Sequence, residues 1–327
     1  MAPMRLAIIG AGAFGTAMAC VLRRSGHGVV LWGRDPQVVE SVNAQRSNPR
    51  HLPGVPLEPG IAATADLAAA LARSELVLTA VPAQQLRPVA ARMRAALAPG
   101  TPVASCSKGI ERGSRALMPQ VLAEALPQAR VAVLSGPSFA REIALGLPCG
   151  VDLACAEVDF ARHLSLQVGS ARFCIHPSND LVGVALGGVM KNVIGIASGI
   201  AAGRKLGENA RATLLARGLA ETLRLGAALG AQRDTFLGLS GIGDMTLTAA
   251  SLQSRNTAFG VALGEGASPQ EILRSRRGLT EGVLSVEAVV ALAARLEVSM
   301  PITEALDRVL NRGASLDAEI ERFLERA

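Results

Sequence analysis

The sequence predicts an α/β domain built on a doubly wound sheet, followed by an all-helical C-terminal domain. Three observations carry this. Short apolar runs alternate with amphipathic stretches through the first half, a glycine-rich turn joins the first run to the first helical pattern, and strand signals nearly stop after Asp180. Strands that are apolar almost throughout and separated by helices mark a parallel sheet covered on both faces. At roughly 100–200 residues per domain, the 327 residues divide into a sheet domain over 1–180 and a helical domain over 181–327.

In chain order, residues 5–9, 29–32, 76–80, 102–106, 131–134, 150–154 and 172–176 are short, apolar and bounded by turn residues, so they read as strands. Helical periodicity fills 14–25, 85–97, 116–125 and 157–168 between them. Ser25-Gly26-His27-Gly28 ends a helix, and Pro99-Gly100 precedes a strand. The stretch 47–60, with Pro49, Pro53, Pro56 and Pro59, reads as an exposed excursion. Beyond Asp180, helical patterns cover 181–202, 208–229, 244–251, 269–276, 281–296, 301–311 and 316–327. Ser268-Pro269 is a strong helix start, a hydroxyl cap followed by proline at the first helical position.

Composition narrows the function classes. A net charge of +6 suits anionic ligands, but seven Phe, one Trp and no Tyr cannot furnish a base-stacking platform, so no nucleic-acid partner is expected. The five scattered cysteines lack the close spacing of a zinc site; no metal is expected, and free thiols point to a reducing, cytoplasmic compartment. The amino terminus is broken by glycines too early for a signal peptide and begins a motif instead. The apolar stretch 181–203 carries Lys191 and Asn192 near its middle, and a central lysine costs roughly 2.5–3.5 kcal/mol in a bilayer, so a buried helix is expected rather than a membrane span. Only three of the 33 basic residues, Lys108, Lys191 and Lys205, are lysines. In so arginine-rich a chain, a retained lysine suggests that an ammonium group is needed.

Gly10-Ala11-Gly12-Ala13-Phe14-Gly15 follows an apolar strand and opens a helix, the context of a Rossmann-type dinucleotide fingerprint. Gly10 permits the turn, Gly12 admits a pyrophosphate, and Gly15 lets helix pack on strand. At the end of the second strand, Arg34 can face a 2′-phosphate and Asp35 can bind ribose hydroxyls, so NADP (as NADPH) is plausible and NAD stays open. Lys108 and the run Ser135-Gly136-Pro137-Ser138 follow strands whose carboxyl ends should face one crevice. Lys191, surrounded by Leu, Val, Ile and Gly, needs a counter-charge or a depressed pKa, and a lysine so tuned can exchange a proton near neutrality. Asp244 either caps the helix it begins or pairs with a buried lysine. Arg255 has the fork for an anionic group, and Asn256 can add a donor.

Together these residues resemble the bacterial NAD(P)-dependent glycerol-3-phosphate dehydrogenases. The resemblance covers essentially the whole chain through GAGAFGTA, VVLWGRD, SKG, SGPSFARE, GVALGGVMKNVIGIASGI, GENARATLLARGLAE, LSGIGDMTLT, QSRN and MPITEAL. It implies interconversion of glycerone phosphate and sn-glycerol 3-phosphate, supplying backbone for phospholipids. By resemblance Lys191 is the general acid/base, with Lys108 and Asp244 binding or orienting substrate. Gly136, Ser138, Ser254, Arg255 and Asn256 line the substrate site, and Arg255 faces phosphate. Ala13, Phe14, Arg34, Lys108, Ala140, Arg255, Leu279 and Glu281 touch the cofactor. Ala185 and Met190 depart from the residues usual in relatives, within two helical turns of Lys191. A homodimer is allowed for.

Two other functions fit parts of the pattern: a reductase of a carboxylate-bearing ketone on the same plan, and a cofactor-binding sensor without turnover. Retention of Lys191, Asp244 and Arg255 together speaks against the sensor, which needs only the fingerprint.

Overall fold

The computed structural model describes residues 2–275 and 280–325. Its packing divides into two units, one of Met1–Ser107 with Met118–Leu181 and the other of Lys108–Leu117 with Val182–Ala327. The short segment that begins with Lys108 therefore packs with the helical unit, although it follows a strand of the sheet.

The first unit runs β1 (Arg5–Ile9), α1 (Ala13–Arg24), β2 (Gly28–Trp32), α2 (Pro36–Gln45), β3 (Ile61–Thr64), α3 (Leu67–Leu71), β4 (Leu76–Thr79), α4 (Ala83–Met93), β5 (Pro102–Ser105), α5 (Met118–Ala125), β6 (Arg130–Ser135), α6 (Ala140–Ala144), β7 (Cys149–Cys155), α7 (Val158–Val168) and β8 (Phe173–Ser178). The strands form one sheet in the order β3-β2-β1-β4-β5-β6-β7-β8. The order reverses between β1 and β4, the kind of switch point outside which open α/β sheets bind ligands. Leu6, Ala7, Ile8 and Ile9 are wholly buried, as expected of a central strand covered on both faces. Burying each large aliphatic side chain of this kind contributes about 1.5–3 kcal/mol.

The sheet is not parallel throughout, as the sequence reading had it. β7 runs antiparallel to β6, with Ala132 opposite Cys155 and Ser135 opposite Asp152, and β8 then runs parallel to β7. The connection from β6 to β7, residues 136–148, is long enough for a crossover but holds only the five-residue α6. That helix spans about 7.5 Å and does not carry the chain back along the strand as the helix of a parallel return does. Four elements of this unit were not anticipated: the strand β3 and the helices α2, α3 and α6. The edge strand β3 pairs only with β2 and is a short, alanine-rich run. Helix α2 is started by Pro36 and by Asp35, whose carboxylate accepts from the Gln37 amide at 3.0 Å.

The second unit is helical: α8 (Leu181–Gly203), α9 (Gly207–Ala228), α10 (Arg233–Leu237), a wide π turn (Leu239–Gly243), α11 (Asp244–Ala250), α12 (Arg255–Gly264), α13 (Pro269–Ser275), α14 (Glu281–Arg295), α15 (Pro301–Asn311) and α16 (Leu316–Glu325). Arg276 and the last two residues of the chain, expected as helix ends, lie outside the described residues. Helix α8 is long and apolar enough to cross a membrane by length and composition, yet 83% of its most apolar window is buried inside the protein. Its apolar surface is consumed by protein packing.

Helix α12 is absent from the sequence reading because Gly260 and Gly264 depress helix propensity by about 1 kcal/mol each. The structure shows what they are for. A Cβ at Gly260 would lie 2.1 Å from the Ile196 carbonyl oxygen, and one at Gly199 would lie 2.1 Å from that of Thr257. Gly203 and Gly264 repeat the pattern one turn on. Helices α8 and α12 thus meet backbone to backbone along a small-xxx-small seam, a geometry better known in membranes. That seam brings the first turn of α12 against the middle of α8.

Candidate active site

In the first unit, β1 ends at a turn whose glycines are pressed against backbone at two positions and open at a third. Gly10 has φ +124°, and a Cβ there would sit 2.6 Å from the Ala80 carbonyl oxygen; one at Gly15 would sit 1.9 Å from the Gly10 carbonyl oxygen. Gly12 differs, because a Cβ there would meet nothing within 4 Å. Gly12 also caps α1 without any side-chain hydrogen bond, and the first turn, with Ala13 and Phe14, holds no acidic residue. The free amides of that turn and the helix dipole leave an open, electropositive cradle of pyrophosphate type. The residues present fit a nicotinamide dinucleotide.

At the end of β2, the Asp35 carboxylate is already engaged, capping α2 and pairing with Arg50. Arg34 beside it is exposed. After β6, Gly136 has φ +142°, and a Cβ there would press within 2.9 Å of the Val151 Cα. The Ser138 hydroxyl donates to the Gly136 carbonyl at 2.9 Å, and Ala140 opens α6.

The second unit holds a compact charged cluster. Lys108 Nζ lies 2.5 Å from Asp244 Oδ2, and Lys191 Nζ lies 3.3 Å from Asp244 Oδ1. Lys191 Nζ also donates to the Thr248 hydroxyl at 3.0 Å, and that hydroxyl lies 3.5 Å from Asp244 Oδ1. The Asp244 side chain is 2% exposed, whereas Lys108 and Lys191 keep 16% and 14%. The carboxylate is therefore internal, and the two lysines keep only a small exposed fraction. Asp244 is the first residue of α11, one past Gly243 at the cap position; of its two sequence-level roles, the geometry shows the pairing. Burial alone would raise the Asp244 pKa, but the two lysines outweigh it and hold the carboxylate below its usual range. Burial pushes the Lys191 ammonium down to about 8 against the raising pull of Asp244, with the charge of Lys108 adding to the depression.

Around the lysines runs a satisfied amide relay. Asn192 donates to the Lys108 carbonyl at 2.9 Å and accepts from Asn256 at 2.8 Å. Asn256 in turn accepts from the Gly282 amide at 3.0 Å, one residue beyond Glu281 at the start of α14. Ser254 caps α12 by accepting from the Thr257 amide at 3.2 Å. Arg255, at the first position of α12, is exposed, and its charge bears on Lys191. The second unit thus brings together Lys108, Lys191, Asp244, Arg255 and Asn256. Ser254 is committed to its cap, and Leu279 lies outside the described residues. Ala185 and Met190 are buried in α8.

Two participants were missed at the sequence level. Thr248 lies four residues after Asp244, on the same face of α11, a spacing that could have disclosed it. Asn192 joins the cluster through the Lys108 backbone, which no local pattern announces.

A fingerprint turn at the switch point of a doubly wound sheet, with a lysine–carboxylate cluster on a following helical unit, is the equipment of a nicotinamide-dependent dehydrogenase. Comparison with known proteins specifies which. Residues 5–161 match the model of the NAD-dependent glycerol-3-phosphate dehydrogenase N-terminus, and residues 180–321 match that of its C-terminus. The chain belongs to this family. It is 50% identical to the glycerol-3-phosphate dehydrogenase [NAD(P)+] of Rhodospirillum rubrum over 321 residues, spanning 98% of this chain and 92% of the relative. It is also 50% identical to that of Azorhizobium caulinodans over 323 residues, spanning 98% and 97%. The crystal structure of glycerol-3-phosphate dehydrogenase from Coxiella burnetii superposes with a TM-score of 0.94 at 37% identity, covering 99% of both chains.

Proposed function

We propose that this chain is a glycerol-3-phosphate dehydrogenase [NAD(P)+] working in the reductive direction. It converts glycerone phosphate to sn-glycerol 3-phosphate for glycerophospholipid synthesis, with Lys191 as general acid. The observation that carries the proposal is a buried lysine whose ammonium is shared between one carboxylate and one hydroxyl, in a chain that also carries an open dinucleotide turn. A reduced nicotinamide cofactor, its pyrophosphate held at that turn, would supply hydride to the substrate carbon. As the C=O π bond at C2 opens, the carbonyl oxygen takes a proton from Lys191 Nζ, so no bare alkoxide develops. A proton affinity near neutrality suits this exchange, because Lys191 can release the proton and recover it from solvent. Asp244 keeps the ammonium oriented, and Lys108 adds a second positive charge toward an anionic substrate. Arg255 and Asn256 supply a charged fork and an amide donor for the phosphate, whose binding energy positions the reacting carbon. Arg34, exposed beside an Asp35 carboxylate that is already engaged, favours a 2′-phosphate and hence NADPH, while NADH remains a substrate. The five free cysteines suit a cytoplasmic, reducing setting.

Lys191→Ala is expected to lower turnover by several orders of magnitude in the glycerone phosphate assay, followed at the reduced-nicotinamide absorbance band, with cofactor binding nearly unchanged. Full activity in that variant would remove Lys191 from the chemistry. A 2- or 3-keto acid turned over faster than glycerone phosphate would replace the substrate assignment.

A further inference from the structure

Helix α8 meets the backbone that leads to Asp244 at a residue with no side chain. Gly187 lies one turn before Lys191 on the same face of α8. A Cβ on Gly187 would lie 2.2 Å from the Ser240 carbonyl oxygen and 2.9 Å from its carbon. Ser240 is wholly buried within the π turn that runs directly into Asp244. The turn is held from its other side as well. Gly241 takes a non-helical conformation, φ −97° and ψ −106°, and a Cβ there would lie 2.0 Å from the Phe236 carbonyl oxygen. The segment is thus clamped between α8 and the end of α10 with no side chain in either contact, and the next residue but two is the carboxylate that faces Lys191.

We propose that Gly187 is a positioning residue: its missing side chain lets the Ser240 carbonyl seat against α8, and that seat fixes Asp244 beside Lys191. A methyl at position 187 must push the turn away from α8, because its obstacle is backbone rather than a mobile side-chain end. Asp244 then retreats from Lys191, which stays on α8. Lys108 reaches Asp244 from a flexible side chain in the segment 108–117 and can follow it. The charged groups facing Lys191 are Asp244 on α11, Lys108 on that segment and Arg255 on α12. Of these, only Asp244 favours the ammonium, so its withdrawal leaves two positive neighbours in control and lowers the proton affinity of Lys191 further.

The inference rests on Lys191 as the proton donor, but it can be tested without turnover. With three lysines in the chain, selective labelling of lysine side chains yields three NMR titrations, assigned by Lys108→Arg and Lys205→Arg. In Gly187→Ala the Lys191 titration is expected to move down by about one pH unit, and reduction to slow about fivefold at pH 8 while changing little at pH 6. Gly203→Ala is the control, because its Cβ would meet the Val261 carbonyl oxygen at 2.3 Å, a similar clash on the same helix far from Asp244. It should cost stability and leave the Lys191 titration in place. Should Gly187→Ala fail to fold, Ser240→Gly loosens the same turn without adding an atom, and a smaller shift in the same direction is expected. An unmoved Lys191 titration in the folded variants, or an equal shift in Gly203→Ala, overturns the positioning role. Full activity of Lys191→Ala alongside a shifted titration would instead overturn the proton-donor assignment and leave the positioning role standing.

Discussion

The two units use glycine for opposite ends, and the difference is visible in what each missing side chain would touch. At Gly12 an added Cβ would meet open space within 4 Å, whereas at Gly199 and Gly260 it would meet a carbonyl oxygen at 2.1 Å. The first glycine leaves open space beside the turn; the others keep room for a helix that is already there. The charges divide similarly. In the sheet unit the polar groups at the fingerprint turn are backbone amides at the start of α1, with no side chain capping them. In the helical unit they are long side chains already paired around Asp244. One unit presents uncapped amides, and the other presents ammonium groups already paired with a carboxylate.

The sharpest way to break this contrast is to fill the seam. Gly260→Leu puts a branched side chain where the Ile196 carbonyl sits, and neither helix can yield without moving its backbone. Overpacking of this severity is expected to cost more than about 3 kcal/mol, read as a large fall in the midpoint of denaturant unfolding. A variant within about 1 kcal/mol of the parent would mean that α8 and α12 part easily.

Next in size is a stability effect that belongs to the paired cluster alone. Lys191 releases its proton near pH 8 when folded but near its usual 10.5 when unfolded. Between those values the unfolded chain binds more protons, so this residue's contribution to stability rises with pH; below about 8 both states are protonated and it is flat. Lys191→Met removes the titration. The parent should therefore gain roughly 2–3 kcal/mol on this variant as pH climbs from 8 to 10.5, measured by chemical unfolding across that range. Parallel stability curves would show that Lys191 is solvated in the folded protein.

The open turn should show the reverse profile. Gly12→Ala changes no packing contact, so stability should stay within about 0.5 kcal/mol. The methyl occupies the approach to the free amides, so dissociation constants for both NADH and NADPH should rise about tenfold or more, as expected when a charge-assisted hydrogen bond worth about 1.5–3 kcal/mol is disturbed. A calorimetric titration beside a thermal melt separates the two readouts. Lost stability with unchanged cofactor affinity would make the turn structural.

What could be read from the sequence follows the same division. The fingerprint Gly10–Gly15 was legible because its chemistry is local: a strand, a turn and a helix start lie within a dozen residues. Lys191 stood out because an ammonium in an apolar run breaks the local pattern. Helix α12 was hidden by the glycines that let it pack, since their cost is local and their compensation lies on α8. Asn192 and Asn256 are hydrogen-bond partners 64 residues apart in the chain, a pairing that no window can contain. The reversal of β7 escaped because apolar periodicity specifies burial and says nothing of strand direction. Local sequence exposes what a ligand or solvent must meet, and conceals what two distant elements do for each other.

The smallest expected effect tests whether an exposed charge on the sheet unit behaves as the open turn does. Asp35 is committed to the start of α2 and to Arg50, which leaves its carboxylate poorly placed to claim ribose hydroxyls or to repel a phosphate. Arg34 stands exposed next to it. An exposed arginine contributes little to stability, so Arg34→Ala should melt with the parent. If its guanidinium meets the 2′-phosphate, the Michaelis constant for NADPH should rise several-fold to about tenfold, while that for NADH stays within about twofold, because only one cofactor carries the extra anion. The NADPH effect should also shrink as salt is raised, since the charge lies in solvent where ions screen it. Equal changes for both cofactors would assign Arg34 to the shared pyrophosphate or adenine, and no change for either would leave it a solvated loop arginine.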